Sequence, residues 1–397
     1  MESQGRSVYL DYAATTPVDP RVVDALLPFM TERFGNPSSL YEIGRDAHAA
    51  LEDARERVAA CIGARHPTEI VFMGSGTESD NSAIIGIAER KAPNGGHLVI
   101  SAFEHHAVLE SARSLEKRGY TLTLLKPDPA GTISVAALKA ALRPNTFLVS
   151  VMHGNNEIGT VQAVRELAAA THEHGALFHT DAAQTLGKIP FDVGDMGVDA
   201  ASFAGHKIYA PKGTGVLYLR RGTPFEPLLK GGGQESKRRS GTPSVAGAVA
   251  FAVALELMLQ ELSGEAERLA SLRDWLVSGV SRSLSDVRQA TDTPIEARLP
   301  NIVSLLVAGV EGESILLHLD NVGISVSTGS ACSSGSLEPS HVLTAVDCPR
   351  DMAQGFIRIS FGRFTTQSDI DYFIESFVRI VERLRTMSPT YAKRSGS

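Results

Sequence analysis

Four short stretches of the 397-residue chain carry side chains suited to chemistry. In "STGSACSSGS" (327–336) the thiol of Cys332 stands among glycines, serines and an alanine, with no large neighbour in sequence to bury it. Only the thiolate of such a group is a good nucleophile, and a free cysteine has a pKa of about 8.5, so a proton must be removed locally. Small residues relax packing and make alternative backbone conformations cheap, which suits a thiol that has to travel. In "GHKIYAPKGTG" (205–215) Lys207 follows small residues and precedes a Pro/Gly-rich stretch, so it is expected to face a pocket. A partly desolvated lysine has a lowered pKa and forms Schiff bases with carbonyl groups. "HTDAAQ" (179–184) ends an apolar run in an acid, Asp181. "VFMGSGTESDNSAIIGIAERK" (71–91) passes from a strand through a small-residue turn into a helix, whose free N–H groups, with the Thr77 hydroxyl, would meet an anion.

Each stretch also has a plainer reading: an inert thiol in a turn, a solvated lysine, a strand-end cap, a helix cap. The turn at 74–77 fits neither G-x-x-x-x-G-K-[ST] nor G-x-G-x-x-G, so the usual nucleotide loops do not apply. What singles these stretches out is convergence. A desolvated lysine, an acid for a pyridinium nitrogen and a phosphate cradle are what pyridoxal phosphate needs.

The elements that must position these groups alternate along the middle of the chain. Apolar runs at 97–103, 121–127, 146–152, 176–184 and 199–207 are separated by helix-like segments, and 213–221 reads as a Gly-rich hairpin candidate. Strands alternating with helices predict a mostly parallel sheet covered on both faces, with ligands gathered where strand ends meet loops. Glu104, His105, Asn156, Asp181, His206 and Lys207 all follow predicted strands. From about Ser263 the pattern changes to helices around strand-like "NIVSLLV" and "GFIRISFGR". The last helix is expected to bury Ile370, Phe373, Ile374, Phe377, Val381 and Leu384 on one face. The predicted division is a large domain over 16–262 and a smaller α+β domain over 1–15 and 263–397, which carries the Cys332 loop at about 325–340.

Composition narrows the field. With 43% hydrophobic and 21% charged residues the chain has the balance of a globular protein. A net charge of −7, and no basic run longer than Lys237, Arg238 and Arg239, argue against nucleic acid. No apolar signal core opens the chain, and the most apolar stretch (246–259) is shorter than a membrane span and contains Glu256, so no membrane role is expected. Three scattered cysteines suit neither a disulfide framework nor zinc, and point to a reducing cytoplasm. Cys61 reads as core and Cys348 as incidental. His172, His174 and His179 are read as structural, so no resident metal is expected.

Motifs in order along nearly the whole chain resemble the cysteine desulfurases of the class V aminotransferase family, on the nitrogen-fixation and iron–sulfur side with a long catalytic loop. They include "LDYAATTPVDP", "SGTESDN", "EHHAVLE", "NNEIG", "HTDAAQTLGK", "SFAGHKIYAPKGTG", "RRSGTPS", "STGSACSSGSLEPSHVL" and "IRISFGRFTT". The resemblance implies a fold-type I, α/β architecture with a seven-stranded sheet, pyridoxal 5'-phosphate as cofactor and a homodimer. It implies that Lys207 carries the cofactor, Asp181 pairs with its ring nitrogen, His105 stacks on the ring and Gln184 meets the phenolic oxygen. Gly76, Thr77, Ala204, Gly205 and His206 fall on phosphate-binding positions, and Thr242 on the position that reaches the phosphate of the neighbouring subunit. Arg358, with Asn156, would hold the carboxylate of L-cysteine. Cys332 would be the catalytic nucleophile, left as a persulfide while the substrate becomes L-alanine, with His105 a candidate for proton transfer. An iron–sulfur scaffold or another acceptor protein would take the sulfur, and Cys332 could transiently share a cluster with it. Ala204 stands where many relatives have serine, so one phosphate contact is expected to be missing; Gly76 replaces a common alanine. Two other readings stay open: a selenocysteine lyase or another β-lyase or aminotransferase of the same fold, and a non-catalytic relative acting as a binding protein.

Overall fold

The computed structural model describes residues 6–329, 339–388 and 391. Cys332 lies outside the described residues.

Twelve strands are described in chain order. They are β1 (Val8–Tyr9), β2 (Ile70–Met73), β3 (His97–Ser101), β4 (Thr121–Leu125), β5 (Thr146–Ser150), β6 (Leu177–Asp181), β7 (Ala200–Ala204), β8 (Gly215–Leu219), β9 (Val287–Gln289), β10 (Ile302–Val307), β11 (Ile324–Ser325) and β12 (Phe356–Ser360). Seven of them form one sheet in the order β2-β8-β7-β6-β5-β3-β4. From β7 to β4 every pairing is parallel, and β8 alone runs against its neighbours β7 and β2. The stretch read as a hairpin candidate is thus the return strand of a β7–β8 hairpin.

The strands are apolar on both faces because both faces are covered. In β2 all four residues are buried. Ile70 and Phe72 enter a core shared with Leu51 and Val58 of the helix Glu42–Cys61, and with Phe251 and Leu255. Val71 and Met73 face the opposite core, built with Ile84 and Ile87 of the helix Gly76–Lys91 and Leu109 and Leu115 of the helix His106–Glu116. That period of two is the sheet's own.

A second sheet runs β12-β10-β9, antiparallel throughout, and β1 pairs in parallel with β11. Its core holds Val303, Leu305, Ile357 and Ile359 against the last helix, Gln367–Thr386. On that helix Ile370, Phe373, Phe377 and Val381 are buried as expected, while Ile374 and Leu384 sit at the margin of the core. The helix Val245–Ser283, 39 residues long, belongs to both cores: Val245 to Met258 pack in the first and Leu269 to Val280 in the second. The change of composition at Ser263 therefore falls inside one unbroken helix. That helix is long and apolar enough to cross a membrane by length and composition, and just over half of its most apolar window is buried in the protein.

Strand ends fix the geometry that matters. The loops after β2, β3, β5, β6 and β7 leave the sheet along one edge and carry Gly76, His105, Asn156, Asp181 and Lys207. At the flank, the segment leading to Thr242 passes through Glu235, Ser236 and Lys237, all at positive φ (48°, 55° and 67°). Three successive non-glycine residues in the left-handed region cost about 1 kcal/mol or more each. The buried Arg55 offsets that cost. Its guanidinium pairs with both oxygens of Glu235 (2.7 and 2.9 Å) and with the Ile70 carbonyl, while Glu235 also accepts from the Phe72 N–H. Breaking such a buried pair on one side costs about 3–5 kcal/mol, whereas apolar replacement of both partners costs far less. Glu235→Ala is therefore expected to lower the urea midpoint sharply, and Glu235→Leu combined with Arg55→Met to restore much of it. A double variant as unstable as the single one would show that the charge pairing is not what holds this segment.

Candidate active site

Along the strand-end edge lies a cavity of about 340 Å³. One end is the turn from β2 into the helix Gly76–Lys91. Ser75 caps that helix, its hydroxyl accepting from the Glu78 N–H (3.0 Å) and its carbonyl from the Ser79 N–H (3.1 Å). The N–H groups of Gly76 and Thr77, in the first turn, have no intrahelical acceptor and line the cavity. Ala204 closes this end from β7. A Cβ on Gly76 would stand 3.0 Å from that of Ala204, so the two small residues leave room for each other. Ser202, two residues earlier on the same face of β7, lies deeper and pairs with His179 (3.0 Å). Gly205 is buried behind this wall, with no space for a side chain beside Thr214.

Lys207 and Asp181 share the cavity floor. The Lys207 ammonium donates to the carbonyls of Ala13 and Ala14, the latter at 2.7 Å. Asp80 and Glu104, like Asp181, are buried carboxyls that line the same cavity. Desolvation raises all three. Glu104 is pushed up to about 8, and Asp80 well above its usual range by burial and by Asp181. Only Asp181 has a cation beside it, Lys207, to offset part of its burial. Glu104 therefore keeps its proton at neutral pH, while Lys207 favours the charged form of Asp181. Buried oxygens of Asp80 (Oδ1) and Glu104 (Oε2) are without hydrogen-bond partners among the described residues.

His105 caps the helix His106–Glu116, its Nδ1 accepting from the Ala107 N–H (3.1 Å). Burial lowers its pKa, and in the neutral ring the proton is then on Nε2. The group offered to the cavity is an N–H donor. Acting as a base at Nε2 would require the ring to give up that backbone contact. His206 is neutral too, lowered to about 4 by burial and by Lys207, and its Nδ1 meets the Thr15 hydroxyl (3.2 Å).

The far wall comes from the second sheet. Arg358, in β12, is 3% exposed; it donates to the Asn156 carbonyl (2.9 Å) and to Asp11 (2.7 Å), and its Nε has no partner among the described residues. A guanidinium pinned on two sides, with an N–H still unpaired, keeps donor capacity for a carboxylate. Asn156 and Gln184 complete the lining.

Ten residues singled out from sequence thus line one cavity, and Gly205 lies directly behind it. Thr242 does not line it, but sits in a separate cleft with Gly74 and Arg239. The sequence reading assigned no role to Asp80, Asp11, Glu157 or His341. Asp80 lies one helical turn after Gly76, a spacing that could have revealed it. Glu157 is buried and accepts from the Ser340 hydroxyl (2.6 Å), with Gly329 packed against its carboxyl. The three suspect histidines are structural: His172 pairs with Asp199, His174 with the Arg143 carbonyl, and His179 lies between Ser150 and Ser202. No cluster able to hold a metal occurs among the described residues. Cys61 is half-buried, its thiol pushed up to about 11.

The class-V aminotransferase profile matches residues 8–373. The chain belongs to that family. A cysteine desulfurase IscS of Dictyoglomus turgidum is 50% identical over 384 residues, 97% of each chain. A solved NifS-like protein superposes with a TM-score of 0.89 at 37% identity, over 95% of this chain and all of the other. SspA, solved in complex with cysteine, superposes at 0.80 with 35% identity, over 91% of this chain and all of the other. The α/β architecture and the mostly parallel seven-stranded sheet are those of this class-V family.

The carboxyl pair in this class-V site has a measurable signature. Glu104 keeps its proton to about pH 8 when folded, against about 4.5 when unfolded, so its contribution to stability is lost as pH rises through that window. Glu104→Gln, which cannot ionise, is expected to flatten the fall in Tm of the cofactor-free protein between about pH 4.5 and 8. An unchanged slope would mean that Glu104 ionises normally in the fold.

Proposed function

We propose that the protein is a pyridoxal-phosphate-dependent cysteine desulfurase. On this reading it converts L-cysteine to L-alanine, leaves the sulfur on Cys332 as a persulfide, and supplies an iron–sulfur scaffold or another acceptor. The observation that carries the reading is one cavity holding an amine, a buried carboxyl beside it, a helix N-terminus and an anchored guanidinium. Relatives of this length and identity bear the name cysteine desulfurase, which supports the same conclusion.

The residues present fit the cofactor. Gly76 and Thr77 offer unpaired N–H groups to a phosphate, with Ala204, Gly205 and His206 around it. Lys207 would hold the aldehyde carbon, Asp181 the ring nitrogen, His105 the ring face and Gln184 the phenolic oxygen. Thr242, outside the cavity, is assigned to the phosphate site of a second copy, so the working unit is a homodimer. When bound, pyridoxal phosphate supplies a conjugated ring that can take up the electron pair left at the substrate Cα. Asp181, beside Lys207, would pair with the ring nitrogen and favour its protonated form.

Arg358 receives the substrate carboxylate on its open edge, with Asn156 beside it. Lys207 Nζ, once released, is the amine placed to take the Cα proton. His105 donates from Nε2 into the cavity. The Cys332 thiolate attacks the substrate sulfur: an S–S bond forms, the Cβ–S bond breaks, and its electron pair stays with the three-carbon product. Protonation of that product gives alanine. We assign cofactor binding to residues 16–262, and delivery of Cys332 to the smaller unit of 1–15 and 263–397. A reducing compartment such as the cytoplasm suits a thiol that must stay free.

Purified wild type and Cys332→Ala, given L-cysteine and a reductant, test the proposal. Both are expected to show a visible cofactor band, and only the wild type to release alanine and sulfide in equal amounts. Equal activity in the variant would favour a lyase that uses the cofactor alone. Ala204→Ser offers a second measurement, because Ala204 lines the cavity beside Gly76 and Thr77, where the added hydroxyl would supply a further phosphate contact. One hydrogen bond to a charged group is worth about 1.5 kcal/mol, so equilibrium dialysis should find the cofactor held roughly tenfold more tightly. Unchanged affinity would place the phosphate elsewhere.

A further inference from the structure

Lys188, in "DAAQTLGKIP", is 7% exposed, yet among the described residues no carboxylate lies within ion-pairing distance of it. A buried amine without an acid is unusual, because desolvation opposes its charge. Its pKa is lowered to about 7 by burial and by the neighbouring Lys207. The cavity it adjoins, with Tyr209, Glu265 and Arg363 in the lining, measures only about 20 Å³, too small for any ligand beyond a water. What Lys188 does touch is Gln184. Nζ donates to the Gln184 carbonyl (3.1 Å) and to its side-chain Oε1 (3.2 Å).

That second contact decides how the Gln184 carboxamide is turned. Oε1 is held by Lys188, so Nε2 lies on the opposite side, where it donates to the Ala13 carbonyl (2.9 Å). The same carbonyl accepts from Lys207 Nζ. Lys188, Gln184, Ala13 and Lys207 therefore form one hydrogen-bonded chain running from the buried interior to the cavity. Nε2 carries two hydrogens and Ala13 uses one; Gln184 lines the cavity with the other available.

We propose that Lys188 is a positioning residue, which holds the carboxamide of Gln184 so that an N–H donor, not the carbonyl oxygen, faces the bound cofactor. This rests on the proposed pyridoxal phosphate chemistry. It extends that chemistry to a residue that touches neither cofactor nor substrate. A donor on the phenolic oxygen draws off negative charge that otherwise helps the lysine-linked nitrogen of the cofactor keep its proton. Without Lys188, Oε1 is left buried and unpaired, and the amide gains by turning away from its present orientation.

The test is the pH titration of the visible band of the holoenzyme without L-cysteine, for wild type, Lys188→Met, Gln184→Ala and the double variant. The expected result is an upward shift of the midpoint by roughly one pH unit in Lys188→Met, the size that one hydrogen bond to a charged group carries. Gln184→Ala should shift the same way, and the double variant no further. A midpoint that stays at the wild-type value in Lys188→Met, with only Tm lowered, would make Lys188 a structural residue and overturn the proposal. Additive shifts would overturn it too, since the two residues would then act separately. If Lys188→Met does not yield folded protein, Lys188→Leu removes the same donor and is read in the same way. A wild type with no visible band after loading would instead overturn the cofactor reading itself, and this inference with it.

Discussion

The site depends on a seam of backbone at residues 8–16. Lys207 Nζ is received by the carbonyls of Ala13 and Ala14, 194 and 193 positions away in sequence. The same stretch pairs β1 with β11, accepts the Ser360 N–H at Leu10, binds Arg358 through Asp11 and bonds the His206 carbonyl through Thr16. Val8 and Leu10 lie in the core of the second sheet, Tyr12 in that of the first. One short segment thus sets the amine on β7's exit loop and the guanidinium on β12 relative to one another. Neither sheet alone contains both, so a shift of this seam would separate the Lys207 amine from the Arg358 guanidinium.

Burial then sorts the charges. Asp80, Glu104, His179 and His206 are all driven towards their neutral forms, because each ion would lose more hydration than its neighbours return. Asp181 is raised as well, but there Lys207 opposes part of the shift. A cavity with many titratable groups is left with few charges, each with a place. Lys188 fits the same pattern, a donor kept for its direction and not for its charge.

Much of this was legible in the chain. Parallel strands with both faces covered must be continuously apolar, so the runs at 97–103, 146–152 and 176–184 announced the sheet, and the residues after them announced the edge where chemistry gathers. The last helix was legible because Ile370, Phe373 and Phe377 repeat at helical spacing. The helix Val245–Ser283 was not: its composition changes near Ser263 because its packing partners change, while its backbone continues unbroken. Asp80, Asp11 and Lys188 went unassigned because an acid or amine in sequence carries no mark of whether it will be desolvated.

By itself the sequence determined element types, the edge at which the loops emerge, and the kinds of residue on which the family resemblance rests. Those are local properties, set by periodicity, turn chemistry and side-chain type. Tertiary structure alone decided that Gly76, Asp181, Lys207 and Arg358 share one cavity, that His105 offers an N–H, and that Lys207 opposes the burial of Asp181 while no cation does so for Asp80 or Glu104. The reason is physical. Proximity between residues hundreds of positions apart, and the loss of water that shifts a pKa, exist only once the chain has packed.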